Sequence, residues 1–391
     1  VDLGRKAGLN QIKILPGFHD LVTGSISLSD IREVQLEDLL GREPAKIQID
    51  QIEGYLASKT ILVTGAAGSI GAELCHQIAK FNPQRLIAVD QNETGLFHIE
   101  NSLLQKSPDL DVETIVADIR DKPRIQGVLF QSRPQVVFHA AAYKHVPMME
   151  LHPEEAVKNN VLGTLSVAEA AQKCQVERFV LISTDKAVSP TSVMGVTKRV
   201  AEILVQTLNG HSNTKFTAVR FGNVLGSSGS VIPIFQDQIR RGAPVTVTHK
   251  DMSRYFMITS EAVLLVLQAA AIGNGGEVFV LDMGKPVRIV ELAREMIRLS
   301  GLEPDKDLPI VFTGTRPGEK LFEETMTDEE DTVATQHQQI FITKTSSQFS
   351  IQDLNMFMSR LNQAIQKHPK EEIIELLQEI VPGYHNSYEV E

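Results

Sequence analysis

The sequence predicts an α/β fold, a doubly wound parallel sheet with a smaller α+β lobe, and three observations support this class. Between about residues 58 and 223, short runs rich in β-branched residues alternate with segments of helical period. A glycine-rich turn, TGAAGSIG, follows the first of these runs. The chain has 391 residues, of which 42% are hydrophobic, enough for a large core and more than one domain.

Five runs predict the strands of the main sheet: TILVTG, RLIAVD, ETIVAD, VVFHAAA and RFVLIST. Segments such as SIGAELCHQIAKF and PEEAVKNNVLGTLSVAEAAQKC predict the helices between them. Strands that alternate with helices are typical of β-α-β units around a parallel sheet buried on both faces. Residues 51–230 are therefore expected to form the main domain, to which 250–285 partly return.

The flanking regions follow other patterns. VIPIFQDQIRRG, PVTVTH and RIVELAREMIRLSG predict the α+β lobe over residues 231–330, and two helical patterns predict a C-terminal helical appendage over 331–391. QIKILP predicts a strand whose sheet partners are expected to be missing from the chain. Because the chain opens in mid-pattern at Val1, we interpret residues 1–50 as the remnant of an N-terminal region and linker.

Composition excludes several classes of function. A net charge of −11 argues against a general nucleic-acid or anionic-membrane surface. The longest apolar run, AVLLVLQAAAIG, is shorter than the roughly 20 residues that a membrane helix needs. Cys75 and Cys174 show no disulfide or zinc spacing, and the histidines show no metal-ligand spacing. The sequence therefore indicates a soluble chain from a reducing compartment, with no metal expected.

The glycine-rich turn predicts a dinucleotide site. Gly65, Gly68 and Gly71 lie three residues apart between a strand and a helix, and Asp90 ends the next strand. An acidic residue at that position binds the adenosine ribose hydroxyls and repels a 2′-phosphate, so NAD is favoured over NADP. Arg85 or Arg120 would be able to compensate that charge. Asp118, after the third strand, is interpreted either as a contact to adenine or as a strand-end cap.

A polar group follows the strand RFVLIST. Thr184, Asp185 and Lys186 are expected at the C-terminal edge of the sheet, where ligands bind, and the adjacent acid and base suit general acid-base chemistry. Met194 and Lys198 stand at i and i+4 and share one helix face. Met194 either packs in the core or lines the active site, since methionine serves both purposes.

Seven motifs carry a resemblance to a known family. They are TGAAGSIG, HAAAYKHVPMME, NNVLGT, STDKAVSPTSVMGVTKR, RFGNVLGSSGSVIPIF, MSRYFM and TRPGEKLFEE, which together span residues 60 to 325. The chain resembles the extended short-chain dehydrogenase/reductase superfamily and, within it, the large membrane-anchored UDP-N-acetylglucosamine 4,6-dehydratases of polysaccharide biosynthesis. Met194 stands where most of the superfamily has a catalytic tyrosine. The segment ILPGFHDLVTG through LLGR resembles the region between the membrane helices and the catalytic domain of those proteins.

The resemblance implies a Rossmann domain over 51–230, a substrate-binding lobe over 231–330, and 4,6-dehydration of UDP-N-acetylglucosamine with bound NAD. The catalytic residues that it implies are Thr184, Asp185, Lys186, Met194 and Lys198. Our hypothesis for their roles has Asp185 as acid at O6, Lys186 as base at C5, and Thr184 hydrogen-bonded to the sugar, with a water or Asp185 relaying the O4 proton. Lys144 is a further candidate for this chemistry. The implied cofactor-binding residues are Gly65, Gly68, Ser69, Ile70, Gly71, Asp90, Asp118, Ile119, Ala140, Ala141, Ala142 and Lys198. The implied substrate-binding residues are Lys144, His145, Met148, Asn160, Asn223, Arg254, Arg316 and Glu319.

Two other functions stay open at this point. A UDP-sugar 4-epimerase shares the fold and the cofactor but needs no acid-base pair at C5 and C6. A dinucleotide-binding module without catalysis would account for the missing tyrosine. The resemblance also implies a parent protein anchored on the cytoplasmic side of the bacterial inner membrane, of which this chain is a soluble catalytic fragment. We further expect a homo-oligomer and, because of the negative net charge, no nucleic-acid partner.

Overall fold

The computed structural model describes residues 13–14, 32–33, 45–326, 332–343, 349–367 and 370–385. The chain divides into two compact units. The larger unit comprises Pro44–Ser228, Arg254–Pro286 and Thr315–Glu391, and the smaller comprises Val1–Glu43, Gly229–Ser253 and Val287–Gly314. Residues 1–50 were interpreted as an N-terminal remnant. Of these, residues 1–44 lie outside the described part of the chain, apart from 13–14 and 32–33.

A nine-stranded sheet forms the centre of the larger unit. Its spatial order is β8-β9-β7-β6-β5-β4-β1-β2-β3, in which β1 to β7 are parallel and β9 pairs antiparallel with both β7 and β8. The strands are β1 (Thr60–Thr64), β2 (Arg85–Asp90), β3 (Val112–Val116), β4 (Val136–His139), β5 (Arg178–Ile182), β6 (Lys215–Arg220), β7 (Val278–Leu281), β8 (Thr332–Ala334) and β9 (Ile340–Thr343).

Most of the helices belong to the larger unit. In chain order the helices are α1 (Ile49–Leu56), α2 (Ser69–Ala79), α3 (Glu93–Lys106), α4 (Lys122–Ser132), α5 (Val146–Leu151), α6 (Pro153–Ala156), α7 (Thr164–Lys173), α8 (Val193–Asn209), α9 (Val231–Arg240), α10 (Thr259–Ile272), α11 (Ile289–Leu299), α12 (Ile351–Lys367) and α13 (Lys370–Ile380). Of these, α9 and α11 belong to the smaller unit. A π-helical segment, Val157–Gly163, precedes α7.

Both faces of the sheet are covered. Leu62 of β1 packs in a cluster with α4, α7, α8, α12 and α13, whereas Ile61 and Val63 pack in a second cluster with α1, α2, α3 and α10. Successive side chains of a strand point to opposite faces, so β1 requires apolar residues throughout. The predicted doubly wound parallel sheet is confirmed.

The strand order reverses between β1 and β4. These two strands pair with each other, and the chain continues from β1 to β2 on one side and from β4 to β5 on the other. In open α/β sheets this switch point, at the carboxyl ends of the strands, is where ligands bind. The C-terminal region contributes α12 and α13 to one face of the sheet and adds β8 and β9 to its edge. Helical periodicity did not indicate those two strands.

The smaller unit has mixed α+β structure of its own. Val245–Val247 pairs in parallel with Ile310–Phe312, and this unit also contains α9 and α11. Lys13–Ile14, within the QIKILP run, pairs antiparallel with Arg32–Glu33. The expectation that this strand lacks a partner was wrong, because its partner contains two charged residues and carries no strand pattern.

Among the described residues, no helix combines the length and the apolar character that a membrane crossing requires. Nor do three or more His, Cys, Asp or Glu side chains group there in a way that could hold a metal ion.

Candidate active site

Glycine shapes the loop between β1 and α2. Gly65 has a φ of +68°, in the left-handed region that favours glycine. A Cβ on Gly65 would lie 2.5 Å from the backbone nitrogen of Ala141, and a Cβ on Gly71 would lie 2.0 Å from the Gly65 carbonyl oxygen. Side chains are therefore excluded at both positions, which keeps the loop backbone accessible to a ligand.

Helix α2 begins directly after this loop. Gly68 is its N-cap residue, and no side chain of the described residues makes a capping hydrogen bond there. Ser69 and Ile70 begin the first turn. Backbone N–H groups at a helix N-terminus carry a partial positive charge and bind phosphate groups. The loop and this first turn therefore fit the pyrophosphate of a dinucleotide.

A cleft opens beside this loop, at the carboxyl ends of β1, β2 and β4. Most of the predicted cofactor-binding residues line it: Gly65, Gly68, Asp90, Asp118, Ile119, Ala140, Ala141 and Ala142. Its other lining residues, Gln91, Ala117, Tyr143 and Asn159, were not predicted. Each of them is adjacent in sequence to a predicted site residue, and this adjacency is the one feature of the sequence that points to them.

Asp90 links β2 to the glycine loop. Its Oδ2 accepts a hydrogen bond of 3.0 Å from the Ala67 N–H, and its Oδ1 accepts one of 2.9 Å from the Asn92 N–H. Arg85 lies at the opposite end of the same strand, where it pairs with Asp111 at 3.1 Å. Arg85 is therefore roughly 16 Å along the strand from Asp90, too far to compensate its charge.

Asp118 and Arg120 form a close pair at the cleft. The Arg120 guanidinium donates to the Asp118 carboxylate at 2.6 Å and to Glu155 at 2.8 Å. Partial burial would raise the pKa of Asp118, but the hydrogen bonds from Arg120 outweigh it and hold that pKa below its usual range. Both groups are therefore charged at neutral pH, and Arg120 is engaged by two carboxylates.

Thr184, Asp185 and Lys186 lie together after β5. The Asp185 N–H donates to the Phe221 carbonyl, which fixes this turn against the end of β6. Asp185 Oδ1 accepts hydrogen bonds from Thr184 Oγ1 at 2.8 Å and from Lys186 Nζ at 3.0 Å. Asp185 is 1% exposed, and its Oδ2 is buried with no hydrogen-bond partner in the described part of the chain. One carboxylate oxygen is thus left for a proton or a substrate hydroxyl.

Two further residues face the Lys186 amine. Its Nζ donates to Asn223 Oδ1 at 3.2 Å and lies 3.6 Å from Glu323 Oε1. Burial opposes a charge on Lys186, but the negative charges of Asp185 and then Glu323 outweigh it and raise the pKa of the amine. Lys186 is therefore an ammonium ion in this structure.

Lys198 and Met194 have different surroundings on α8. Lys198 Nζ donates to the Ile182 carbonyl at 2.7 Å, at the end of β5. Burial lowers the pKa of Lys198 to about 8, against the opposing charge of Glu202. Met194 is 3% exposed and packs in an apolar cluster with Val146 and Met149 of α5. The structure thus gives Met194 a packing position.

A buried ion pair supports these strand ends. Arg220, the last residue of β6, donates to both carboxylate oxygens of Glu202 at 2.8 Å. Ser183 Oγ donates to the same carboxylate at 2.6 Å. Burial would raise the pKa of Glu202, but Arg220 holds it at about 2. The pair fixes the backbone just before Thr184, and sequence analysis did not identify it.

His139 occupies the switch point at the end of β4. Its Nδ1 lies 2.7 Å from Thr64 Oγ1 and its Nε2 lies 2.9 Å from Thr164 Oγ1. The Thr164 hydroxyl donates to the Asn160 carbonyl, so we assign the ring proton to Nε2. Burial, and secondarily the charge of Lys198, lowers the pKa of His139 to about 3. The ring is therefore neutral.

A second cleft contains Lys186 and part of the predicted substrate site. Its lining includes the predicted Asn223, Arg254 and Glu319. Phe256–Met257 pairs with Asn223–Val224, which brings the neighbourhood of Arg254 beside Asn223. Further lining residues that the sequence analysis missed are Val146, Thr191, Ser192, Gly318, Lys320 and Glu323. Gly318, Lys320 and Glu323 fall within TRPGEKLFEE, one of the seven motifs that carry the family resemblance.

The remaining predicted substrate residues lie in other settings. Lys144, His145, Met148 and Arg316 are exposed. Asn160 is fully buried, where its amide donates to the Tyr143 carbonyl at 3.0 Å and accepts from the Tyr143 N–H at 2.8 Å. Asn160 thus holds the loop that carries Tyr143.

Residues 61–345 match the protein family described as polysaccharide biosynthesis protein. The chain belongs to this polysaccharide biosynthesis family. The capsular polysaccharide biosynthesis protein CapD of Staphylococcus aureus is 52% identical over 81% of this chain. That match covers 53% of CapD, so the chain spans about half the length of this relative.

Two other relatives of this family member match along most of their own length. A membrane protein of Methanocaldococcus jannaschii is 46% identical over 71% of this chain and 84% of the relative. A UDP-glucose 4-epimerase of Rickettsia bellii is 34% identical over 70% of this chain and 79% of the epimerase.

Solved structures share the fold. Pen from Bacillus thuringiensis has a TM-score of 0.68 at 32% identity and covers 78% of this chain and 99% of its own. The dTDP-glucose 4,6-dehydratase DesIV from Streptomyces venezuelae has a TM-score of 0.58 at 20% identity and covers 65% of this chain and 84% of its own. The resemblance inferred from the motifs is therefore confirmed for the family and for the extended short-chain dehydrogenase/reductase fold.

Proposed function

We propose that this family member is the catalytic part of a UDP-N-acetylglucosamine 4,6-dehydratase. The observation that carries the proposal is the Asp185–Lys186 pair, joined at 3.0 Å at the carboxyl end of β5 beside Lys198. C5–C6 dehydration needs an acid and a base that act together, and this pair offers both. Met194 is buried in an apolar cluster, and its thioether cannot transfer a proton.

NAD is the cofactor that we propose, with Gly65, Gly68 and the first turn of α2 at its pyrophosphate. When bound, NAD supplies a reversible hydride acceptor, which takes hydride from sugar C4 and returns it at C6. Asp90 favours NAD over NADP because its carboxylate would repel a 2′-phosphate. Arg85 and Arg120 are both engaged by carboxylates, so neither neutralises Asp90.

In this proposal Lys198 holds the nicotinamide ribose hydroxyls. Its amine already donates to the Ile182 carbonyl, which fixes its position at the end of β5. With a pKa of about 8 it is mostly cationic at neutral pH, so it donates hydrogen bonds and favours oxyanion formation nearby.

Asp185 is the proposed carrier of the O4 and O6 protons. Its carboxylate takes the O4 proton, through Thr184 or a water, as C4 is oxidised. The resulting carboxylic acid then donates that proton to O6 as the C6–O6 bond breaks, and water leaves. Asp185 returns to the carboxylate form, so the proton inventory is balanced over the cycle.

Lys186 is the proposed base at C5. Oxidation at C4 acidifies the C5 proton, which the neutral amine of Lys186 takes up. The resulting ammonium exchanges its protons with solvent and then protonates C5 when hydride reaches C6. The resting ammonium must first lose a proton, which passes to solvent through the second cleft that Lys186 lines. When Asp185 takes up the O4 proton, it removes the negative charge 3.0 Å from Lys186, which favours the neutral amine.

We propose that the second cleft binds the nucleotide sugar. Arg254 and Arg316 suit the diphosphate because a guanidinium pairs two phosphate oxygens at once. Asn223 is proposed to contact the diphosphate as well, and Glu319 the uridine ribose hydroxyls. Lys144, His145 and Met148 are proposed to border the sugar site from α5 and the loop before it.

A 4-epimerase is the second candidate, favoured by the identity to the R. bellii UDP-glucose 4-epimerase. Epimerisation moves hydride at C4 and requires no proton transfer at C5 or O6. Asp185 would then serve only at O4, and Lys186 would have no proton to remove at C5. This difference makes the two candidates separable by their products.

The setting of the whole protein is also a proposal. The similarity to a membrane protein of M. jannaschii supports a parent protein anchored at the cytoplasmic side of the inner membrane. The homo-oligomer predicted from the sequence stays a prediction.

Incubation of the purified protein with UDP-N-acetylglucosamine and NAD, followed by proton NMR, tests the proposal. A new 6-methyl signal together with loss of the H4 signal supports 4,6-dehydration. Appearance of the galacto epimer without a methyl signal would establish the epimerase instead. If the protein binds NAD but does not convert UDP-N-acetylglucosamine, both candidate activities on this sugar are excluded.

A further inference from the structure

Glu323 lies between two groups of the proposed site. Its Oε1 is 3.6 Å from Lys186 Nζ and 3.6 Å from Arg254 Nε, and its side chain is 4% exposed. Arg254 also donates to the Leu321 carbonyl at 3.2 Å, in the same segment as Glu323. One buried carboxylate thus contacts both the proposed base and a proposed diphosphate ligand.

The segment that carries Glu323 is held closely against the rest of the larger unit. Gly318 has a φ of +78°, and a Cβ on it would lie 2.9 Å from Ser192 and 3.0 Å from Val146 side-chain atoms. Thr191 Oγ1 donates to the Gly318 carbonyl, and Lys320 Nζ donates to the Val188 carbonyl. Glu323 is therefore presented to Lys186 from a fixed backbone.

Several charged groups share the surroundings of Lys186. Asp185 lies on its own turn, Glu323 and Arg254 face it from other segments, and Glu319 and Lys320 also line the cleft. The two nearest carboxylates oppose Arg254 and keep the amine protonated. Once Asp185 has accepted a proton in the proposed cycle, Glu323 is the one charged carboxylate among the described residues that still contacts Lys186.

We infer that Glu323 is a positioning residue of the proposed dehydration, which holds Lys186 and Arg254 in one cluster and sets the pH at which Lys186 becomes a base. This inference rests on the proposed function for its consequence but not for its geometry. It follows that Glu323 acts through Lys186 on the C5 proton and through Arg254 on substrate affinity.

Glu323→Gln keeps the size of the side chain and removes its charge. Glu324→Gln is the matched control, since Glu324 is the next residue, has a side chain 55% exposed and pairs with Lys320. The lysines of the purified protein are labelled by reductive ¹³C-methylation, and the Lys186 signal, assigned with Lys186→Arg, is titrated by NMR. We expect the Glu323→Gln midpoint to fall by about one pH unit and the Glu324→Gln midpoint to stay.

Turnover of UDP-N-acetylglucosamine supplies the second readout. Glu323→Gln is expected to move the rising limb of the kcat profile to lower pH and to raise KM, whereas Glu323→Asp is expected to keep the limb near its wild-type position. An unchanged Lys186 midpoint, or a lower kcat with an unmoved pH profile, would overturn the inference. Failure of the wild-type protein to dehydrate the sugar would refute the proposed function while leaving the titration as a test of Glu323.

Discussion

Asp185 and Lys186 are neighbours in sequence and form an ion pair of 3.0 Å whose two members differ in accessibility. The Asp185 side chain is 1% exposed, whereas that of Lys186 is 20% exposed and reaches the second cleft. The pair therefore has an open and an enclosed side, and a proton can pass between its members without crossing bulk water. We take this asymmetry as the structural basis of the proposed dehydration.

Replacement of the carboxylate should separate chemistry from binding. Asp185→Asn keeps the shape of the side chain but cannot take up the O4 proton, so kcat is expected to fall at least about 100-fold with little change in sugar affinity. Steady-state kinetics and calorimetric titration measure the two effects. Asp109→Asn, at an exposed position, serves as control. Near-normal turnover by Asp185→Asn would refute the assignment.

Lys186→Arg tests the base. Arginine keeps the positive charge but does not lose its proton at accessible pH, so exchange of the C5 proton with D2O is expected to stop while nucleotide-sugar binding persists. Proton NMR of the recovered sugar measures the exchange. Lys306→Arg, at a fully exposed lysine that pairs with Glu303, is expected to exchange like the wild type. Continued exchange by Lys186→Arg would assign the base to another group.

Lys198→Met is expected to weaken NAD binding and to lower kcat by about 100-fold. In the part of the chain that the structure describes, the buried amine has one hydrogen-bond acceptor, the Ile182 carbonyl, at 2.7 Å. The proposed ribose contacts would use its other protons. Retained NAD, measured by absorbance after desalting, and turnover are compared with those of Lys173→Met, an exposed control on α7. Equal NAD retention in both variants would contradict the cofactor role.

Asp90→Asn is expected to relax the preference for NAD. Asparagine can keep one of the two backbone hydrogen bonds that Asp90 accepts but removes the charge that would repel a 2′-phosphate. We expect NAD affinity to fall and the ratio of NADP to NAD affinity to rise about tenfold. Fluorescence titration with both reduced cofactors provides the ratio. An unchanged ratio would place the discrimination elsewhere.

Because His139 is buried as a neutral ring, we expect the stability of the fold to fall at acidic pH. Its pKa is about 3 in the folded protein against an ordinary value of 6.5, so between these values the unfolded chain binds more protons than the native one. Stability is therefore expected to fall as the pH drops below 6.5, by about 2 kcal/mol from pH 6.5 to 5. Urea unfolding at several pH values measures this, and His139→Gln should show a shallower slope. Equal slopes for both proteins would contradict a neutral buried ring.

The sequence was sufficient where the signal is local. The glycine loop lies in one short segment between a strand and a helix, and Asp185 and Lys186 directly follow a strand, so chain order alone brings them to the sheet edge. Glu323 and the Glu202–Arg220 pair depend on contacts between distant segments, which no spacing rule indicates. The position of Met194 is decided by packing against α5, because its residue type suits either role.

The most direct test of the central claim follows one hydrogen atom. UDP-N-acetylglucosamine carrying deuterium at C4 is incubated with the protein in ordinary water, and the product is examined by NMR and mass spectrometry. If hydride returns at C6, the deuterium moves within the molecule to the new 6-methyl group, while C5 acquires a solvent proton in water and a deuteron in D2O. Recovery of the deuterium at C4 of the galacto epimer, with its 6-hydroxyl retained, would contradict dehydration and indicate epimerisation.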